Sequence, residues 1–207
     1  MATSDAATNQ TPRSNILVYV LVCVLAGLVV MFVVTSMGPP SAQRHPWVGN
    51  PIPSVPLQPL LNADQPFQHS QFQGKVTLVN FWGPWCPPCR AEFPQLLKIR
   101  QSLSLEEDFQ LLSIAADGNW APGTGAFQED LEYLEPESEM VLAEHNTDLP
   151  VYVDQQAELR TKFSEISPFK AYPTTLLVGR TGQIEAVWVG YEPDAGKITS
   201  RIHEALK

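Results

Sequence analysis

Residues 79–94 read VNFWGPWCPPCRAEFP and contain two cysteines, Cys86 and Cys89, that lie three positions apart. The stretch at 76–81 is short, apolar and rich in β-branched side chains, which predicts a buried strand. From Phe93 onward apolar residues recur at helical spacing, which predicts a helix. The cysteine pair is therefore expected where a strand gives way to a helix.

The start of a helix gives the first cysteine a chemical use. There Cys86 faces unpaired backbone N–H groups and the positive end of the helix dipole, which stabilise a thiolate. The pKa of a cysteine so placed can fall from ~8.5 to about 3.5–7.5, and the thiolate is the species that attacks a disulfide. When the thiolate of Cys86 attacks a substrate disulfide, a mixed disulfide between Cys86 and the substrate forms. Cys89, one helical turn further on, is positioned to attack and resolve that bond. Pro87 and Pro88 stiffen the loop and remove N–H donors that could bond to sulfur.

Three other uses of the cysteine pair are open but less well supported. A zinc half-site needs two more ligands; Cys23 lies in an apolar N-terminal run, and the four histidines show no ligand pairing. A structural disulfide that closes two intervening residues removes little chain entropy. A peroxide-reducing cysteine needs a nearby threonine and arginine, whereas Gly83 stands three residues before Cys86. We therefore expect no metal and no organic cofactor, only a redox-active disulfide.

The length and charge of the chain narrow its function. Its 207 residues suffice for one globular domain with appendages. There are 22 acidic and 13 basic residues, a net charge of −9, so nucleic-acid binding through a basic surface has no support. Residues 101–159 alone contain 14 acidic side chains and no lysine or arginine. This segment is either a docking surface for basic partners or a solvated face that aids solubility.

The N-terminal part of the chain predicts a membrane anchor. After a tail at 1–15, residues 16–37 are 22 uncharged, nearly all apolar residues, and at ~1.5 Å per residue such a helix spans the ~30 Å hydrocarbon layer. The alternative is a signal peptide, whose apolar region is typically ~7–15 residues. Residues 38–66 contain eight prolines and are expected to form an extended linker. The folded domain is then expected at 67–207.

Patterning across the folded domain predicts alternating strands and helices. A turn at 179–182 indicates a hairpin, Asp194 is expected to cap a last helix, and a helix at 127–145 is expected to be interrupted at Pro136. The order indicates an α/β fold with parallel strands first and an antiparallel hairpin at the edge. Strands are predicted at 76–81, 109–116, 151–153, 174–178 and 184–189, with further helices after Cys89 and at 156–163.

Together, the motif at 79–94 and the sequence Tyr-Pro-Thr-Thr at 172–175 resemble the membrane-anchored TlpA/ResA-like branch of the thioredoxin superfamily. The resemblance covers roughly residues 48–207. It implies a thioredoxin fold, with a mixed central sheet, flanking helices and a central insertion, that carries out thiol–disulfide exchange, often in cytochrome c maturation. It also implies a single-pass protein of the bacterial inner membrane with its catalytic domain on the periplasmic side.

The resemblance assigns roles by position. Cys86 corresponds to the attacking cysteine and Cys89 to the resolving one, and Pro173 matches the cis-proline whose neighbouring backbone pairs with the substrate chain. An ordinary edge-strand proline is the alternative for Pro173, although an X–Pro bond lowers the cost of the cis form to ~0.5–1 kcal/mol. The expected substrate-binding residues are Trp85, Pro87, Pro88, Tyr172 and Pro173.

Two further positions bear on proton transfer. Thioredoxin has a buried aspartate six residues before its first cysteine, whereas this chain has Asn80, which cannot carry a proton. Glu92 matches a glutamate of ResA-like proteins and lies at i+3 from Cys89 on the predicted helix. A partly buried carboxyl there, with a raised pKa, could accept the Cys89 proton. The alternative is a surface charge near a helix start.

These inferences predict a membrane-anchored enzyme that exchanges the Cys86–Cys89 pair with protein thiols and disulfides. The expected direction is reduction of the substrate, with a membrane protein as electron donor. The alternative is a thioredoxin-like binding or chaperone module that recognises extended chains without turnover.

Overall fold

The computed structural model describes residues 13–36, 42–121, 123 and 126–207, and the chain divides into two compact units at Ser41. In the first unit, a single helix, α1, covers Arg13–Ser36 and takes in most of the predicted anchor; Met37 and the tail at 1–12 lie outside the described residues. In the part of the chain that the structure describes, no helix is both long enough and apolar enough to cross a membrane. The anchor therefore stays a prediction.

The second unit, Ala42–Lys207, is built on a six-stranded mixed sheet in the order β1-β4-β3-β2-β5-β6. The pairs β2–β3 and β3–β4 are parallel, and the remaining three pairs are antiparallel. This confirms the predicted mixed sheet with an antiparallel hairpin at its edge. The strands are β1 Gln58–Leu61, β2 Val76–Trp82, β3 Phe109–Ala115, β4 Val151–Val153, β5 Thr174–Val178 and β6 Ile184–Val189; the helices are α2 Pro87–Ser102, α3 Leu131–Glu144, α4 Glu158–Ile166 and α5 Ala195–Leu206.

Helices cover both faces of the sheet because successive strand residues point to opposite sides. Along the fully buried β2, Leu78 packs with side chains of α2 and α5, whereas Val79 packs with side chains of α4. The carboxyl end of β2 leads directly into the loop that carries the two cysteines. The site is therefore attached to the most buried strand, at the start of α2.

The predicted local signals at the C-terminal end are confirmed. In the β5–β6 turn, the N–H of Gly179 donates to the carbonyl of Gln183 at 2.8 Å, and Gly182 has φ +77°, a conformation that favours glycine. The carboxylate of Asp194 accepts a hydrogen bond from the N–H of Gly196 at 3.0 Å and caps α5.

The extended linker predicted at 38–66 is wrong for residues 42–66, which belong to the folded unit. Trp47 is 1% exposed and its indole N–H donates to the carbonyl of Phe163 at 3.0 Å. Strand β1, which contains Pro59, pairs with β4 and forms an edge of the sheet. Prolines are tolerated at a sheet edge because their missing N–H is not needed on the open side, and the apolar residues between them still bury.

Between β3 and β4 the chain makes the segment that contains α3. The interruption predicted at Pro136 is wrong, because this residue lies inside α3. A proline removes one intrahelical hydrogen bond, leaving the carbonyl of Glu132 without its helical donor. Both residues are exposed, so water can replace that donor. The helix begins after Asp130, whose carboxylate accepts from the N–H of Tyr133 at 3.2 Å.

Candidate active site

Cys86 and Cys89 form a disulfide at the N-terminus of α2. Cys86 occupies the N-cap position, and its sulfur accepts a hydrogen bond from the backbone N–H of Cys89 at 3.3 Å. Pro87 and Pro88 fill the first helical positions, where a missing N–H costs no hydrogen bond. The structure thus brings the two cysteines together where the sequence pattern predicted, facing the positive end of the helix dipole.

The disulfide itself is buried, whereas the sulfur of an attacking cysteine has to be reached by its substrate. Both cysteines are 2% exposed, and they pack in a cluster with Trp82 and Phe93. The flanking residues are more open, and Trp85 is 42% exposed. Local sequence does not predict this burial, because Trp82 and Phe93 belong to elements, β2 and α2, whose packing depends on the tertiary fold.

Glu92 lies on α2, one turn beyond Cys89, and is 1% exposed. Its Oε2 accepts a hydrogen bond of 3.0 Å from the side-chain amide of Asn80 on β2 and one of 3.4 Å from the hydroxyl of Thr175 on β5. The same Asn80 amide donates to the Thr175 hydroxyl at 2.9 Å. The side chain is therefore a buried carboxyl held by polar partners, and the surface-charge alternative is wrong.

Burial raises the pKa of Glu92 to about 7, because an ionised carboxylate is poorly solvated in this interior. The backbone of Glu192 and the side chains of Thr175 and Asn80 oppose this shift. The other carboxyl oxygen, Oε1, accepts no hydrogen bond of normal geometry from the described residues. Glu92 can therefore exchange a proton near neutral pH.

The peptide bond between Tyr172 and Pro173 is cis. Pro173 directly precedes β5, whose first residue, Thr174, pairs with Phe81 of β2. Because β2 runs on toward the cysteines, this register brings the cis-proline to the same end of the sheet. Tyr172 packs against the cluster that contains Cys86 and Cys89.

Trp85 and Tyr172 form an aromatic pair beside the disulfide, with ring centroids 5.6 Å apart in an edge-to-face arrangement. The indole N–H of Trp85 donates to the carbonyl of Ala116 at 2.8 Å. Gly118 lies so close to the indole that an added Cβ would stand 2.5 Å from a ring carbon. The structure therefore places Trp85, Pro87, Pro88 and Tyr172 next to the cysteine pair, and Pro173 follows Tyr172 at the same end of the sheet.

Sequence reasoning missed a buried charged cluster behind Tyr172. Arg160 is 0% exposed, and its guanidinium contacts the carboxylates of Glu129 and Asp154 and the hydroxyl of Tyr172. The one available signal was the position of Arg160 between Leu159 and Phe163, on the apolar side of a short helix. Among the described residues, no group of three or more His, Cys, Asp or Glu side chains is arranged to hold a metal ion.

Comparison with known proteins agrees with this site. A family model described as Redoxin matches residues 47–205. The chain is 26% identical over 180 residues to the thiol-disulfide oxidoreductase ResA of Oceanobacillus iheyensis, which covers 86% of this chain and 80% of ResA. It is 37% identical over 87 residues to the thiol:disulfide interchange protein HelX of Rhodobacter capsulatus, which covers 41% of this chain and about half, 49%, of HelX.

A solved structure from Chlorobium tepidum, described as a DsbE-type thiol:disulfide interchange protein, supports the fold. Its TM-score is 0.61 at 22% identity, and the match covers 77% of this chain and 98% of the other. Fold and site together define a thioredoxin-fold domain with a Cys-x-x-Cys disulfide beside a cis-proline. The chain belongs to the redoxin family, and its relatives confirm the predicted resemblance to TlpA/ResA/DsbE-like thiol–disulfide oxidoreductases.

Proposed function

We propose that this protein is a membrane-anchored, extracytoplasmic thiol–disulfide oxidoreductase that reduces disulfides in protein substrates. The observation that carries the proposal is the Cys86–Cys89 disulfide at the N-terminus of α2, beside the cis bond that precedes Pro173. The names of the two relatives, a thiol-disulfide oxidoreductase and a thiol:disulfide interchange protein, support the same chemistry.

In the proposed reaction the reduced protein begins with Cys86 as a thiolate. Its sulfur attacks one sulfur of a substrate disulfide, a mixed disulfide forms, and the other substrate sulfur leaves as a thiolate. Cys89 then loses its proton and attacks the sulfur of Cys86, which releases the second substrate sulfur. Two electrons have passed from the cysteine pair to the substrate. A dithiol protein on the membrane, the proposed electron donor, restores the reduced pair by the reverse exchange.

Glu92 is the proposed acceptor for the proton of Cys89. General bases work best when their pKa lies near the working pH, and the pKa of about 7 for Glu92 meets that condition. Asn80 cannot itself take a proton, but its amide donates to Oε2 of Glu92 and orients the carboxyl. Oε1 accepts no hydrogen bond of normal geometry from the described residues, so it can take the proton.

The substrate edge is proposed to lie along Pro173, with Trp85, Tyr172, Pro87 and Pro88 around it. Pro87 and Pro88 are exposed and Trp85 is partly so, and these open side chains can contact a visiting chain although the disulfide beneath is covered. Proteins whose extended segments carry a disulfide fit this edge. Cysteine pairs of cytochrome c precursors are the first such substrates we propose, on the ResA-like resemblance.

Membrane anchoring is proposed for residues 16–37, with the N-terminus inside and the folded unit on the periplasmic side. The 22 uncharged residues support it, as does the exposure of apolar side chains along α1, including Tyr19, Leu25 and Met31. Extraction from washed membranes by detergent, but not by high salt or alkaline carbonate, is the expected behaviour. Release by alkaline carbonate alone contradicts the anchor.

A trapping experiment tests the proposed function. In cells, a Cys89→Ser variant is expected to accumulate substrates joined to Cys86, because the mixed disulfide can no longer be resolved. These complexes should disappear on reduction and be absent from the matched Cys86→Ser and Cys86→Ser/Cys89→Ser controls. Mass spectrometry then identifies the substrate. The absence of any reducible complex in the Cys89→Ser variant contradicts the proposal.

The low exposure of the disulfide favours one alternative, a binding module that holds extended chains without turnover. In that case chain binding would be stoichiometric, insensitive to Cys86→Ser and unaccompanied by reduction of the bound disulfide. Measuring binding and disulfide reduction on the same peptide separates the two functions.

A further inference from the structure

Arg160 lies at the centre of a buried charged cluster next to the candidate active site. Its Nη2 donates to Glu129, its Nε donates to the carboxylate of Asp154 at 3.3 Å, and Nη2 also donates to the carbonyl of Asp154 at 3.1 Å. The guanidinium lies 5.2 Å from the ring centroid of Trp120 and 5.7 Å from that of Phe127. Although burial opposes its charge, Tyr172, Glu129 and Asp154 raise the pKa of Arg160 above its ordinary value, so it stays charged.

The cluster holds one partner of the aromatic pair directly. Nη1 of Arg160 donates to the hydroxyl oxygen of Tyr172 at 2.8 Å. Tyr172 precedes the cis-proline, and its ring meets that of Trp85 edge to face. The guanidinium is therefore hydrogen-bonded directly to a ring at the proposed substrate edge.

The same cluster holds the other partner through the chain segment after β3. Oε1 of Glu129 accepts from Arg160, while Oε2 accepts from the backbone N–H of Asp117 at 2.7 Å. The preceding residue, Ala116, supplies the carbonyl to which the Trp85 indole donates. Arg160 thus connects to both rings of the pair, to Tyr172 by one hydrogen bond and to Trp85 through Glu129 and the backbone at 116–117.

Stability alone is a weak reason for such a cluster. Burying charges costs several kcal/mol per ion, and apolar residues of similar size often replace buried ion pairs without loss of stability. What an apolar side chain cannot supply is the fixed fork of donors that reaches Tyr172, Glu129 and Asp154 at once. The cluster is therefore suited to fixing geometry.

We propose that Arg160 is a positioning residue that fixes the Trp85 and Tyr172 rings at the substrate edge and so sets the affinity for extended substrates that contain a disulfide. This inference deepens, and rests on, the proposed oxidoreductase function. Arg160 itself contacts neither cysteine in this role; it acts through Tyr172 and through Glu129.

The test compares Arg160→Lys and Tyr172→Phe with Arg180→Met as the matched control. Lysine keeps the positive charge but lacks the planar set of N–H donors of the guanidinium. Phenylalanine keeps the aromatic ring but lacks the hydroxyl that accepts a hydrogen bond from Arg160. Arg180 is also an arginine in an ion pair, with Asp108, and it donates to the carbonyls of Gly74 and Leu206. The substrate is a synthetic peptide cyclised by one disulfide, with dithiothreitol as electron donor.

Both site variants are expected to raise the KM for the peptide about tenfold, equivalent to roughly 1.4 kcal/mol, with a smaller change in kcat. Arg180→Met should leave KM and kcat near the wild-type values. In nuclear magnetic resonance spectra, the indole N–H signal of Trp85, identified by its loss in Trp85→Phe, should shift in both variants. The signal of Trp188, which packs in a separate cluster with α2 and α5, is the internal reference.

The possible outcomes distinguish a failure of the Arg160 inference from a failure of the proposed oxidoreductase function. If both variants lose thermal stability while KM and the Trp85 signal stay at wild-type values, Arg160 is only structural and the inference is wrong. If Arg160→Lys does not fold, Tyr172→Phe alone decides. If wild-type protein does not reduce the peptide, the proposed function fails, whereas the Trp85 signal still shows whether Arg160 positions the ring.

Discussion

Asn80 donates a hydrogen bond of 3.0 Å to Glu92, so that a side chain that cannot titrate orients one that can. The two residues reach each other from β2 and α2, across the interior just behind the cysteine pair. The arrangement divides two tasks between neighbours: the Asn80 amide orients the carboxyl, and in the proposed mechanism the Glu92 carboxyl accepts the proton.

Replacing Glu92 by glutamine should slow the resolution of the mixed disulfide. A general base typically contributes about 10²–10⁴-fold to a proton-transfer step, and a loss near the lower end is expected because water can partly substitute. The rate should be followed by quenching single-turnover reductions of the cyclic peptide and separating the species. The control is Glu135→Gln, which removes an exposed carboxyl of α3. Wild-type kinetics and an unchanged Cys89 titration in Glu92→Gln would contradict the proton-acceptor role.

The stability of the oxidised protein should fall as the pH rises from about 4.5 to 7. Glu92 has a pKa of about 7 in the folded protein and 4.5 as its ordinary value, so the folded state binds more protons in this window. Stability decreases with pH wherever the folded state holds the extra proton, and the upper limit for this shift is about 3 kcal/mol.

Urea unfolding curves at several pH values measure this dependence. In Glu92→Gln the decrease of the unfolding free energy with pH should be smaller than in wild type. Part of the decrease should remain, because burial also raises the pKa of a second carboxyl, Glu129, to about 7. Arg160 and the Asp117 amide oppose that rise. Equal slopes in wild type and Glu92→Gln would show that folding does not raise the pKa of Glu92.

Trp47→Ala should destabilise the folded unit by about 3–5 kcal/mol, the usual effect of removing a large buried aromatic side chain. Trp47 packs against Phe163 with ring centroids 4.5 Å apart and donates to the carbonyl oxygens of Phe163 and Ser167. Leu105→Ala is the control, because Leu105 is 93% exposed and should change stability by less than about 0.5 kcal/mol. If both variants unfold at the wild-type denaturant concentration, residues 42–66 do not belong to the folded core.

Gly118→Ala should displace the Trp85 indole and weaken peptide binding. An added Cβ would lie 2.5 Å from a ring carbon of Trp85, closer than packed atoms tolerate, and Gly118 also has φ +86°. Gly123→Ala is a matched control because its φ is +80° but its Cβ would meet no atom of the described residues within 4 Å. Both variants should lose about 1 kcal/mol of folding stability, because alanine is strained in the left-handed backbone conformation. Only Gly118→Ala should raise the KM for the cyclic peptide; a similar rise in both would assign the effect to backbone strain.

Much of the fold could be predicted because its elements carry local signals. Strands β4, β5 and β6 have the predicted bounds, since short apolar runs between turn residues leave few alternatives. The cysteine pair and the cis-proline were predictable from their own motifs. Strand β1 and the burial of Trp47 were not, because the density of prolines at 38–66 masks apolar residues that find partners only in the tertiary structure.

Dependence on tertiary contacts also explains what the sequence did not predict at the site. The burial of Glu92 depends on β2 and β5 packing over α2, and the burial of Arg160 depends on Glu129, 31 positions earlier in the chain. For Glu92 the spacing from Cys89 nevertheless indicated a partly buried carboxyl, whereas for Arg160 the local pattern showed only a charged residue on a helix. The covered disulfide was missed for the same reason, since exposure is a property of the assembled domain.

Strand β1 closes one edge of the sheet with a residue, Pro59, that has no N–H to offer a further strand. Proteins that handle unfolded clients risk recruiting them into open sheet edges, the route by which chains aggregate. A proline-bearing border strand blocks that route on one flank of the domain. The edge beside the cis-proline, the proposed docking place for extended client segments, then stays the open one.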